Sequence, residues 1–151
     1  MPHESRSSPR EIQNYLGRIS GPLLDRIDLH VEVPQVKFRE MSAERNGETS
    51  TQIRQRVVAA RQGQQARFSG TRITCNARMG TRELKKYCGL DEASSELLKF
   101  AMADLNLSAR AYDRILKVAR TMADLAGSED LRSEHVSEAI QYRSLDRNYW
   151  A

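Results

Sequence analysis

One strand-like run stands alone in this chain, and its isolation limits the available folds more than any other feature. Residues 27–33 read Ile-Asp-Leu-His-Val-Glu-Val, apolar and polar in alternation, and Pro34 ends the run. Period two is the pattern of a half-buried strand, yet a single strand cannot make a sheet. Either the strand pairs with another copy, or the chain is the trailing part of a larger α/β protein. The second arrangement also explains why everything after residue 50 reads as helix.

Upstream, "MPHESRSS" reads as a flexible start. Ser8 can cap a helix, Pro9 suits its first position and Glu11 completes a capping box. That helix is expected to run to about Arg18, and a Gly21-Pro22 turn leads into the strand. Residues 42–50 are polar and loop-like. Downstream, Ile53, Val57, Ala60 and Phe68 share one helical stripe, with Arg54 and Arg61 on another. Thr81 can cap a short helix through Tyr87 that stops at Gly89. Asp91 can cap the next, with Leu97, Leu98, Ala101, Met102 and Leu105 as its apolar face. Ser108 can cap a third, with Ala111, Ile115, Val118, Met122 and Leu125 inward and Gly127 as the stop. Ser133 can cap the last. The expected fold class is mainly α, a bundle of about four helices preceded by a short helix-strand remnant.

The net charge of +4 conceals a local field. Residues 52–88 carry nine basic groups against Glu83 alone, whereas residues 89–106 carry Lys99 against four carboxylates. A concentrated positive field implies a polyanion or an acidic protein surface, or simply a solvated face. Arg54, Arg61, Arg67, Arg72, Arg78, Arg82, Lys85 and Lys86 are its candidate contacts. Few aromatics interleave with them, so contact with a nucleic-acid backbone is suggested rather than base stacking. No apolar run approaches the roughly 20 residues that span a bilayer, so no membrane partner is expected. Cys75 and Cys88 lack metal-ligand spacing and read as reduced thiols of a cytoplasmic protein. His3, His30 and His135 are scattered and read as surface residues.

No phosphate-cradling P-loop, metalloprotease motif or nucleophile elbow occurs, so the chain holds no complete catalytic site by itself. Two arginines stand out. Arg26, flanked by Asp25 and Asp28, can reach a phosphate on an adjacent molecule, because its planar fork matches phosphoryl oxygens. Local spacing alone favours the plainer alternative, a salt bridge that organises the turn. Arg110 follows the capping Ser108 at a helix end where the dipole disfavours a cation, which suggests an anion nearby. Arg114 and Lys117 extend it into a basic stripe, which Asp113 and Asp124 could equally neutralise.

"YLGRISGPLLDRIDLHVEVP" and "LSARAYDRILKVARTMADLAGSEDLRSEHVSEAIQYRSLDR" strongly resemble the C-terminal portion of magnesium-chelatase-like AAA+ ATPases, ComM/YifB type. The likeness covers residues 9 to about 147. It implies the end of an α/β core at 9–41, a linker at 42–50, a helical lid at 51–147 and a tail at 148–151. It also implies that Arg26 is an arginine finger acting in trans and Arg110 the sensor-2 residue on the ATP phosphates. Walker A, Walker B, sensor 1 and the usual cysteine-rich stretch before the first helix are missing. ATP and Mg²⁺ would thus be handled only by the full-length protein, the chain alone being inactive. The resemblance implies partners as well: the family's own core, neighbouring subunits in a ring (expected to be a hexamer), and DNA during branch migration. A chelatase motor that drives metal into a porphyrin, and a standalone helical DNA-binding module, are the alternatives.

Overall fold

The computed structural model describes Ser8, Arg10, Glu11, Asn14, Arg18, Leu23, residues 26–31, Val33 and the continuous stretch 47–143. The expectations for the first seven residues, the Gly21-Pro22 turn, Asp25, the loop before residue 47 and the tail lie outside these residues. Residues 47–143 form five α-helices: α1 (Ser50–Arg67), α2 (Thr81–Tyr87), α3 (Glu92–Asp104), α4 (Ala109–Leu125) and α5 (Ser133–Gln141). A 3₁₀ turn, Asn76–Arg78, separates α1 from α2. Among the described residues no helix is long and apolar enough to cross a membrane.

The helix ends follow local chemistry. Thr49 Oγ1 accepts from the Gln52 N–H while Gln52 Oε1 accepts from the Thr49 N–H, a reciprocal box that starts α1. Ser8 and Glu11 make the same kind of box, as their spacing predicts. Asp91 and Ser108 cap α3 and α4 through the Ser94 and Ala111 N–H groups. Two expected caps shift by one residue. Thr81 and Ser133 are already helical, so the exposed N–H groups are those of Gly80 and Arg132, and side chains three residues on accept them. Glu83 Oε2 takes the first and His135 Nδ1 the second. His135 is therefore buried rather than on the surface, and His30 is buried as well.

The C-terminal ends of α3 and α4 both close in Schellman turns. Leu107 N–H reaches back to Met102 O with Asn106 at positive φ, and Ser128 N–H reaches Ala123 O with Gly127 at φ +68°. Each satisfies carbonyls that a helix end leaves open. These tight reversals lay α5 against α3 and α4 and make α4 the central helix.

The core joins Phe68, Met79, Leu84, Leu98, Ile115, Leu116, Ala119, Leu131, Val136 and Ala139. Phe68 meets Tyr87 edge-on at 5.5 Å between ring centres. On α4 the fully covered line is Ala111, Ile115, Leu116, Ala119 and Ala123, while Val118, Met122 and Leu125 are only half-buried. The apolar period placed Ala111 and Ile115 inward, as found, but also the larger Val118, Met122 and Leu125. Packing from both sides instead turns inward the alanines, which let neighbouring backbones approach closely.

Residues 27–33 do not form a strand in any described position. The alternation survives, but inverted: His30 is buried, while Ile27, Leu29, Val31 and Val33 are exposed, Val33 to 82%. The segment lies on the bundle through single bonds, His30 N–H to Tyr142 O at 2.8 Å and the Arg143 guanidinium to Ile27 O. A ladder needs a second extended chain beside it, and among the described residues there is none.

Candidate functional site

The first two turns of α4 organise the site. Ser108 caps the helix, so the N-terminal amides and the positive end of the dipole are fixed there. Arg110 projects from the first turn and is exposed. Arg114 and Lys117 follow on the same face, four and seven residues on. Lys117 Nζ donates to Ala77 O at 3.3 Å, which ties the stripe to the 3₁₀ turn. Arg114 pairs with Asp28.

These residues line an open groove of about 250 Å³ bounded by Asp28, Ala77, Arg110, Asp113, Arg114 and Lys117. Three cations face two carboxylates, so the groove is net positive and suits a small polyanion. Arg26 lies two residues before Asp28, exposed, in a turn closed by its own N–H to Leu23 O at 3.0 Å. The structure thus brings the segment that carries Arg26 against the helix that carries Arg110. Among the described residues no carboxylate pairs with Arg26: Asp28 is engaged by Arg114, and Asp25 lies outside.

Asp124 does not serve the stripe. It sits 14 residues beyond Arg110, about 21 Å along the helix, and its carboxylate is only 3% exposed. There it accepts from Arg67 Nη1 at 2.9 Å, Asn76 Nδ2 at 2.8 Å and Arg120 Nε at 3.1 Å. Arg120 spends its remaining donors on the Glu129 and Ser128 carbonyls just past α4. Burial pushes the Asp124 carboxyl up, but the hydrogen bonds from Arg67 and Asn76 prevail and hold it below the usual carboxylate range.

The basic segment therefore divides. Arg67 turns inward to Asp124, whereas Arg54, Arg61, Arg72, Arg78, Arg82, Lys85 and Lys86 remain exposed. Lys86 Nζ stands 4.9 Å over the Tyr87 ring. Both cysteines are free thiols. Cys88 is buried beneath α4, and desolvation pushes its pKa up to about 11. At Cys75 burial raises the value, but hydrogen bonds from Arg61 and the Arg78 N–H outweigh it and leave the thiol below its ordinary range. Sequence reading grouped Asp28 with Arg26 and Arg67 with the surface arginines. Nothing in one-dimensional spacing reveals that each is claimed by α4.

The family model described as magnesium chelatase, subunit ChlI C-terminal, matches residues 47–143, and the one described as magnesium chelatase, subunit ChlI, matches residues 1–41. The competence protein ComM of Haemophilus influenzae is 40% identical over 144 residues, covering 95% of this chain and 28% of that protein. The uncharacterized protein YifB of Escherichia coli is 38% identical over 146 residues, 96% of this chain and 28% of that protein. An uncharacterized Mycobacterium tuberculosis protein is 36% identical over 131 residues, 87% of this chain and 26% of that protein. The chain thus spans little more than a quarter of the length of the curated relatives it matches. With matches along almost its entire length, the chain belongs to the magnesium chelatase ChlI family, ComM/YifB type, and residues 47–143 are a C-terminal helical domain of that family.

Proposed function

We propose that this chain supplies the lid and the trans-acting arginine of an ATP-driven motor that remodels DNA. The observation that carries the reading is the net-positive groove at the capped start of α4, with Arg110, Arg114 and Lys117 on one face and the Arg26 segment beside it. Arg110 would clamp nucleotide phosphates from the lid side, and its position at a helix N-terminus adds the dipole to its charge. Arg26 would reach the transferred phosphoryl group of a neighbouring subunit and neutralise charge that develops there, an effect worth about 10³–10⁵ in rate. Among the described residues no group of three metal-ligating side chains occurs. Mg²⁺ would be handled by the full-length protein together with the nucleotide.

The exposed row Ile27, Leu29, Val31 and Val33 fits the same reading, since an apolar edge of this kind suits burial against an α/β core. Of the basic segment, Arg72, Arg78, Arg82, Lys85 and Lys86 are exposed and would follow a phosphate backbone. The name of the Haemophilus relative, a competence protein, favours DNA over a porphyrin as the object of the motor.

The test is ATP turnover by a full-length protein with Arg26→Ala. A loss of about 10³-fold is expected, with partial recovery when the variant is mixed with subunits that cannot bind ATP. Unchanged turnover would sink the assignment of Arg26. Arg110→Ala should weaken the nucleotide response while leaving the fold within about 0.5 kcal/mol of wild type, because the side chain is exposed.

A further inference from the structure

The first two turns of α1 extend past the bundle. Ile53, Val57, Ala60, Gln64 and Phe68 form one continuous stripe. Its C-terminal half, from Ala60 on, is buried, whereas Ile53, Val57 and the neighbouring Val58 are 44%, 46% and 46% exposed. About 11 Å of helix, from Ser50 to Val57, thus carries an apolar face with no cover among the described residues. Ser50–Arg67 contains four arginines and no acid. Arg56 is held by both oxygens of Glu48, at 2.7 and 3.0 Å, and Arg67 by Asp124. Arg54 and Arg61 meet no carboxylate among the described residues, although Arg61 donates to Gln64 Oε1 at 3.4 Å, and both share a face with Val57 and Val58.

We propose that this arm docks on the α3 helix of a second copy of the chain, against Glu92, Glu96 and Phe100. These three stand four residues apart in one row, and Phe100 is 72% exposed, the most exposed aromatic among the described residues. Acidic groups around an aromatic complement arginines around two valines in both sign and polarity. Lys99 pairs with Glu96 at 3.3 Å, but both side chains are largely exposed, so that contact is easily exchanged. A phosphate backbone has nothing to place on Ile53, Val57 and Val58, which favours a protein partner over a nucleic acid. Residues 34–46 are a poor cover, because Lys37, Arg39 and Arg45 outnumber Glu40 and Glu44. The two patches differ, so the contact is head-to-tail and propagates from copy to copy. It does not depend on the motor reading.

Sedimentation velocity of the 151-residue chain at low salt tests the contact, over roughly 5–500 µM, a range suited to weak interfaces. The sedimentation coefficient should rise with concentration. Val57→Asp and Phe100→Ala should each weaken association by about tenfold or more. Arg61→Glu and Glu96→Arg should each lose it alone and regain it when mixed, because the reversed arm meets the reversed face. These positions are exposed, and circular dichroism checks that the helices persist; Glu92→Arg replaces Glu96→Arg if it does not fold. A chain that stays monomeric throughout overturns the proposal, as do variants that associate like wild type. Duplex DNA binding that needs Arg54 and Arg61 in a monomeric chain also overturns it.

Discussion

Asp28 is bonded by Arg114, 86 residues further along the chain, and not by Arg26 two residues before it. The ion pair ties an extended segment to the first turns of α4 and leaves Arg26 in an exposed turn. It stands beside the Arg110 groove and joins the two segments proposed above to act on ATP.

That ion pair is half exposed, with side-chain exposures of 27% for Arg114 and 49% for Asp28. Asp28→Asn should therefore cost global stability less than about 1 kcal/mol. Its main effect should be local. The His30 amide, bonded to Tyr142 O, should exchange with solvent faster in the variant, as hydrogen-exchange NMR would show. Exchange at the wild-type rate would mean that Arg143 and His30 hold the segment without Asp28.

Asp124 should matter far more. Asp124→Ala leaves Arg67 and Arg120 without their shared carboxylate, and Arg120 is itself buried, so a loss of about 3–5 kcal/mol is expected by urea unfolding. The carboxyl is held below its usual range in the folded state. Its contribution is therefore complete above the unfolded value near 3.9, and is lost as the pH falls from there through the folded value. Asp124→Asn should flatten that acid limb of the stability profile; an unchanged acid limb would show that another group governs it.

The two thiols should differ in reactivity. Cys88 is buried with its pKa pushed up to about 11, whereas Cys75 is half-exposed and lowered beside Arg61. At pH 8 an alkylating reagent should label Cys75 far faster in the folded protein, since the thiolate is the reacting form. Peptide mass mapping over time checks this. Equal rates would indicate that the α2 end opens on the labelling timescale.

Gly127 sits at φ +68° in the turn that ends α4, with nothing near the site a Cβ would occupy. Gly127→Ala should thus cost about 1 kcal/mol through backbone conformation alone. Thermal unfolding would measure it. Asn106, at φ +48° in the equivalent turn after α3, should gain a few tenths of a kcal/mol on replacement by glycine.

What the sequence determined by itself is local. The Ser8, Asp91 and Ser108 caps, the Gly127 stop and the phase of α3 are legible because each depends on residues within one turn of the helix. The basic stripe 110–117 is legible for the same reason. Tertiary structure decided the rest, and in each case the cause is a partner far along the chain. It inverted the alternation at 27–33, because α5 and Arg143 offer single polar anchors to Ile27 and His30 rather than a ladder. It moved Arg67 from the basic surface into the Asp124 knot, because the end of α1 crosses α4 there. It drew Asp28 away from Arg26. Caps and periodicity are set by neighbours in sequence, but a charged side chain pairs with whichever opposite charge the packed helices bring within reach.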